Sequence, residues 1–222
     1  MDRPPTDYSQ ARDHMVDGQV RPNKVIDPRI IRAMRSLPRE RFVPPHLQHM
    51  AYVDEDVALG GGRVLVEPMV IARLVQLARV RDGERVLVVG AGPGYGAALM
   101  AACGGAVTAL EEDEALLAVA RSLLPSLALG VTLLAGPLAA GVPGVAWDVV
   151  MIEGAVSAIP PALAQQVRPQ GGRLVTVLDR TGAGGQGVLA EPSGGGMLRS
   201  RAEFDCATPL LRPLEAKPAF TF

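Results

Sequence analysis

Three glycines at alternate positions, Gly90-Ala-Gly92-Pro-Gly94, followed at once by Tyr95, make the stretch of this sequence best suited to hold a ligand. Glycine accepts φ > 0 and carries no Cβ, so a ligand can lie directly on such a turn, and a helix starting there points unpaired N–H groups at it. That chemistry suits a flat, polar or anionic group. Glu111 stands 17 residues after Gly94, where a carboxylate can accept both hydroxyls of a ribose. Spacing alone leaves two cofactor classes open. A dinucleotide fingerprint reads G-x-G-x-x-G, whereas the run from Gly90 reads G-x-G-x-G; a register from Gly92 to Ala97 meets only the looser dinucleotide form.

The elements that must position these residues follow from pattern. Residues 85–89 are apolar and β-branched and read as a strand buried on both faces, and the Ala/Leu-rich run after Tyr95 reads as a helix. Further strands are expected at 107–110, 131–135, 147–152 and 173–178. Helices fall between them, one capped by Asp113 and ending at Leu123, another opened by Ile159-Pro160-Pro161 and ending near Val167. Alternating strands and helices mean a parallel sheet covered on both faces. After Asp179, residues 188–190 and 197–204 are expected to pair as an antiparallel hairpin, and 208–222 reads as a proline-punctuated tail.

Upstream, residues 8–20 suit a helix that Gly18 weakens. Asp27 is placed to cap, and Pro28 to open, a helix over 29–36 with Ile30, Ile31 and Met34 on one face. A short helix holds Leu47 and Met50. Gly60, Gly61 and Gly62 read as a mobile hinge before an extended piece, and Pro68 opens a helix with Met69, Ala72, Val75 and Leu77 available for burial.

Composition excludes several classes. The 222 residues suit one α/β unit with an N-terminal arm; net charge is −1, and the lysines are Lys24 and Lys217 alone. No basic stripe marks a nucleic-acid face. No apolar run reaches the roughly 18 residues a membrane span needs, and the N-terminus lacks a signal-peptide core, so a cytoplasmic protein is expected. Cys103 and Cys206 have no C-x-x-C spacing and read as reduced thiols. His46 and His49 lack a third ligand nearby and read as solvated or capping side chains, so no metal is expected.

Taken together, the motifs resemble the protein-L-isoaspartate O-methyltransferase family. That family has a Pro-Arg-Glu-Lys/Arg-Phe-Val run, an Ala-Trp/Tyr pair, a glycine-rich stretch, an extended piece ending in Ser-Gln-Pro, a helix, and a Gly-x-Gly-x-Gly-Tyr loop. Here the counterparts are Pro38-Arg-Glu-Arg-Phe-Val43, Ala51-Tyr52, Gly60 to Gly62, Val64-Leu-Val-Glu-Pro68, the following helix, and Gly90 to Tyr95. Order and spacing hold over most of residues 25–178. The resemblance selects S-adenosylmethionine over a nicotinamide cofactor. It implies a Rossmann-like methyltransferase fold with a mostly parallel central sheet, a C-terminal antiparallel hairpin and an N-terminal helical extension. The chain then divides into residues 1–80, which face the substrate, and a cofactor-binding core at 81–222. Gly90, Ala91, Gly92, Gly94 and Tyr95 would serve the amino-acid part of the cofactor, Glu111 its ribose, and Gly136, through a backbone carbonyl, its adenine. The implied acceptor is the carboxylate of an isoaspartyl residue in a damaged protein. A carboxylate is already ionised at neutral pH, so no general base is needed.

The departures from the family's pattern bear on the acceptor. Val66 stands in place of its serine, Glu67 of its glutamine, Glu153 of its threonine, and Gly136 of the aspartate that would meet the adenine. A hydroxyl donor is lost at Val66, and two added carboxylates would repel an anionic acceptor unless Glu67 or Glu153 caps a helix or pairs with an arginine such as Arg63 or Arg73. Two alternatives follow: a related methyltransferase with a neutral or cationic acceptor, and a catalytically silent protein that binds the cofactor.

Overall fold

Alternation along the inner strands sorts the core into two layers. In β3 (Arg85–Val89), Val86 and Val88 join one buried cluster while Leu87 and Val89 join the other. The computed structural model describes residues 7–127, 129–182 and 184–215. In it, β4 (Ala106–Glu111), β5 (Thr132–Ala135), β6 (Val149–Val156) and β7 (Arg173–Leu178) join β3 in parallel register. β8 (Gly185–Gly194) and β9 (Met197–Cys206) complete the sheet as an antiparallel hairpin. The order is β5-β4-β3-β6-β7-β8-β9. The chain therefore steps outward from β3 and returns to β6 on its other side, leaving a crevice at the carboxyl ends of β3 and β6.

The N-terminal helices cover the first layer. Helix α1 (Ser9–Met15) continues through a π-helical turn, Val16–Val20, and α2 (Pro28–Ser36) starts as expected, with Asp27 accepting from Arg29 N at 2.9 Å. Pro28 fits the first helical position because its missing N–H has no intrahelical partner to lose. Helix α3 (Pro68–Ala78) buries Ala72 and Val75 but leaves Met69 and Leu77 half-buried, and α4 (Tyr95–Ala102) follows the glycine turn. In α5 (Glu114–Leu123), Asp113 caps the amides of Ala115 and Leu116 at 2.9 and 3.1 Å.

The second layer has a thinner cover: Leu138, Leu163, Leu211 and Leu214 from short turns and the C-terminal segment. Here the structure corrects the sequence. The helix expected up to Val167 is one turn, α6 (Pro161–Ala164), because Trp147 takes the chain beyond it: Trp147 N donates to Gln166 O and Arg168 N to Trp147 O, both at 2.8 Å. Within the tail, Leu211 N donates to Ala155 O at 2.7 Å, laying this segment across the carboxyl ends of the strands. Residues 216–222 lie outside the described residues. The three glycines at 60–62, read as a mobile hinge, turn a small antiparallel hairpin of β1 (Val57–Gly60) and β2 (Arg63–Leu65), with φ of +98°, +58° and +77°.

Candidate cofactor and acceptor site

Gly90, Gly92 and Gly94 adopt φ of +72°, +55° and +99°, a region that L side chains rarely enter. Gly90 N and Ala91 N both donate to Leu110 O, at 3.0 and 3.2 Å, so the loop is tied to the end of β4, where Glu111 follows. Glu111 is 1% exposed. Its Oε1 accepts from Arg63 Nη1, Glu112 N and Asp113 N, each at 2.9 Å; its Oε2 accepts from Arg63 Nη2 at 2.9 Å and Gly92 N at 2.7 Å. Burial alone would raise its pKa, but the Arg63 guanidinium and the backbone amides prevail and hold it below the usual carboxylate range. Gly136 N donates to Glu111 O at 3.1 Å, placing Gly136 at the same edge. Tyr95 belongs to the core: its wholly buried ring meets Phe42 edge-on at 5.1 Å and the Arg39 guanidinium at 4.8 Å.

Val66 and Glu67 follow the β1–β2 hairpin. Val66 is buried, and its carbonyl accepts from Arg39 Nη2 at 2.7 Å, while Arg39 Nε holds Ala51 O at 2.7 Å. Arg39, fully buried inside the Pro38–Val43 run, thus ties two of the family's motifs together. Glu67 precedes α3 without a side-chain cap; its N–H donates to Asp56 Oδ1 at 2.7 Å. Burial, then repulsion from Asp56 and Asp54, pushes the Glu67 carboxyl up to about 7.

Glu153 lies within β6, which runs on past the expected end to Val156. Ile152, the residue before it, pairs with Val89, the last residue of β3. The β6–β7 register shifts between Met151 and Ala155, Gly154 adopts φ +151°, and Thr176 Oγ1 donates to Gly154 O at 3.1 Å. Such a bulge re-aims a side chain, and the Glu153 carboxyl packs on Gly96 at the start of α4, where a Cβ would collide with it. It is 8% exposed. Burial pushes it up to about 8, against the opposing pull of the Gly96 amide, Arg63 and Arg39. Glu67 forms no cap, and neither glutamate pairs with an arginine as read from sequence: Arg63 pairs with Glu111, and Arg73 lies 4.1 Å from the Phe204 ring, while Glu153 faces the Gly96 amide at the start of α4.

An open groove of about 900 Å³ adjoins the crevice, with Asp56, Arg63, Asp179, Thr208, Arg212 and Glu215 in its walls. Sequence reasoning missed Asp179, Arg212 and Glu215, which come from a loop and a tail with no motif. Among the described residues no helix is long and apolar enough to cross a membrane, and no three His, Cys, Asp or Glu side chains gather as a metal site. Cys103 and Cys206 are free thiols, each pushed up to about 11 by burial.

A glycine turn after β3, an acid closing β4 and an antiparallel end to a parallel sheet define the class of S-adenosylmethionine-dependent methyltransferases. Comparison with known proteins narrows it. Residues 10–189 match the family profile described as Protein-L-isoaspartate(D-aspartate) O-methyltransferase. A protein-L-isoaspartate O-methyltransferase of Methylorubrum extorquens (strain PA1) is 39% identical over 175 residues, covering 78% of this chain and 77% of its own. One of Koribacter versatilis (strain Ellin345) is 34% identical over 172 residues, covering 77% of each. Two solved structures agree in fold. One, a protein-L-isoaspartate O-methyltransferase at 21% identity and TM-score 0.73, covers 91% of this chain, which spans 65% of that one. The other, a candidate for the same enzyme from Plasmodium falciparum in complex with S-adenosyl-L-homocysteine, has 16% identity and TM-score 0.73 and covers 93% and 98%. This chain belongs to the protein-L-isoaspartate O-methyltransferase family, and its cofactor is S-adenosylmethionine. The residues fit that cofactor: a glycine-rich loop with positive φ at Gly90, Gly92 and Gly94, a helix start and an ionised carboxylate lie within one crevice.

Proposed function

We propose that this chain transfers the methyl group of S-adenosylmethionine to the carboxylate of isoaspartyl residues in damaged proteins. The observation that carries this reading is the family match over residues 10–189, which takes in both the glycine loop and the Val64–Pro68 segment. When bound, S-adenosylmethionine supplies an electrophilic methyl group on a sulfonium. The chain's task is to exclude water and align two reactants of opposite charge, and no residue need take a proton. In this reading Gly90, Ala91, Gly92 and Gly94 underlie the amino-acid part of the cofactor, Glu111 holds its ribose and Gly136 lies at its adenine. Arg39 fixes the Val66 carbonyl and with it the acceptor segment. Glu153, with its pKa at about 8, is neutral at pH 7 and does not repel an anionic acceptor. Division into a substrate-side segment at 1–80 and a cofactor core at 81–222 belongs to the same proposal, as does a cytoplasmic setting.

The test is transfer from labelled S-adenosylmethionine to an isoaspartyl peptide, with the matched aspartyl peptide as control and cofactor binding measured on the same sample. Incorporation specific to the isoaspartyl form supports the reading; binding without incorporation overturns it. Val66→Ser, which restores the hydroxyl, is expected to raise kcat on that peptide by roughly 5- to 150-fold, the worth of one hydrogen bond of ~1–3 kcal/mol made only in the transition state. No gain in steady-state turnover would show that the hydroxyl is not limiting.

A further inference from the structure

Glu111 is already full. A carboxylate offers about four lone-pair positions, and this one accepts five N–H groups, two from Arg63 and three from backbone. The amides of Gly92, Glu112 and Asp113 belong to the glycine loop and to the turn after β4, so the fold fixes them. Only the two Arg63 bonds are replaceable. A ribose diol brings two O–H donors, the same number that Arg63 contributes. Arg63 Nη2 also donates to Gly90 O at 2.8 Å, and a Cβ on Gly90 would lie 2.7 Å from Leu211 and 3.4 Å from Arg63 Nη2. The arginine therefore covers the ligand face of the loop as well as the acid.

Arg63 also lines the acceptor groove, on the strand that leads into Val66 and Glu67. Its guanidinium is 8% exposed, and a buried cation released from its partner needs another anion. The acids of the groove are engaged: Asp56 accepts from Glu67 N, Asp179 from the amides of Thr181 and Gly182, and Glu215 from Ser157 N. A carboxylate brought by the acceptor into this groove supplies such an anion.

We propose that Arg63 has two stations: Glu111 in the ligand-free chain, and the acceptor's carboxylate once the cofactor's ribose has taken Glu111. Arg63 is then a gate on cofactor entry and the positioning cation for the acceptor, and cofactor binds before acceptor. The glycines at 60–62 give its hairpin a turn without side chains to repack. The acceptor half rests on the isoaspartyl reading; the cofactor half does not.

The test is Arg63→Gln beside Arg63→Lys, with calorimetric binding of S-adenosylhomocysteine and steady-state kinetics on an isoaspartyl peptide. Arg63→Gln is expected to tighten S-adenosylhomocysteine binding about tenfold, by removing a competitor for Glu111, and to raise the peptide KM at least about tenfold with kcat little changed. Arg63→Lys, which keeps the charge without the fork, should restore part of the KM. A purely structural arginine would weaken both; weaker or unchanged cofactor binding overturns the proposal. Tightened binding with an unchanged KM removes the acceptor half. Absence of isoaspartyl methylation in the wild type overturns the function reading and that half with it, while the calorimetry still decides the gate. Thermal unfolding of the ligand-free variants verifies that they are folded.

Discussion

Glu111→Ala is expected to lose cofactor affinity and fold stability together. From sequence alone the acid serves a ribose, and its removal costs one charged hydrogen-bond acceptor, ~1.5–3 kcal/mol or about tenfold or more in affinity. The structure adds a larger effect. Alanine would leave the Arg63 guanidinium buried without its anion and three backbone amides without an acceptor. Breaking a buried pair from one side costs roughly 3–5 kcal/mol, a large fraction of the stability of an ordinary domain. Chemical denaturation of the ligand-free variant should show that loss, and calorimetry the loss of binding. The cause can be separated from simple cavity formation: adding Arg63→Gln to Glu111→Ala removes the stranded charge and should recover a good part of the stability, a coupling that a double-mutant cycle measures. An unchanged denaturation midpoint in Glu111→Ala would mean that the pair is dispensable for folding.

The residues in that pair also mark the limit of what sequence reveals. The glycine loop, the capping aspartates Asp27 and Asp113, and Pro28 and Pro68 at helix starts were all legible, because turn and capping chemistry acts within a few positions. Glu111 was legible from its place after a strand. Its partner was not: Arg63 is 48 residues away, and the sequence offered Arg63 to Glu67 or Glu153 instead. Arg39 was visible only as a letter in a motif, and nothing local foretold that it would be buried holding the carbonyls of Ala51 and Val66. The extension of β6 beyond Ile152 depends on Ala155 and Val156 pairing with β7, and the shortening of α6 on Trp147 claiming the backbone beyond it. These outcomes are settled by contacts between distant segments, where local propensity is weak.

Glu153→Gln is expected to flatten the fall in the protein's stability between the ordinary glutamate range and a pH of about 8. The folded carboxyl titrates at about 8, raised chiefly by burial and also by Glu111, with the Gly96 amide, Arg63 and Arg39 pulling the other way. The unfolded chain releases this proton in the ordinary glutamate range. Between those two values the folded state binds the extra proton, so the free energy of unfolding falls as pH rises. The contribution is complete below the unfolded pKa and lost as pH passes through about 8. Glu67, raised to about 7, acts in the same direction, whereas Glu111 and Glu84, both lowered, lose their contribution at acid pH instead. A buried glutamate shifted this far is worth on the order of a few kcal/mol. Glutamine keeps the shape and a donor but does not titrate, so denaturation from pH 6 to 9 should decline less steeply in the variant than in the wild type. The same ionisation acts on the acceptor. Above about 8 the wild-type pocket gains a negative charge beside Gly96, and the KM for an isoaspartyl peptide should climb. In Glu153→Gln it should climb less, and identical pH profiles would mean that Glu153 does not titrate in this range. The two carboxylates that read from sequence as obstacles to an anionic acceptor are thus conditional ones: burial, the same force that places Glu153 beside the glycine loop, keeps it uncharged at the pH where the proposed reaction runs.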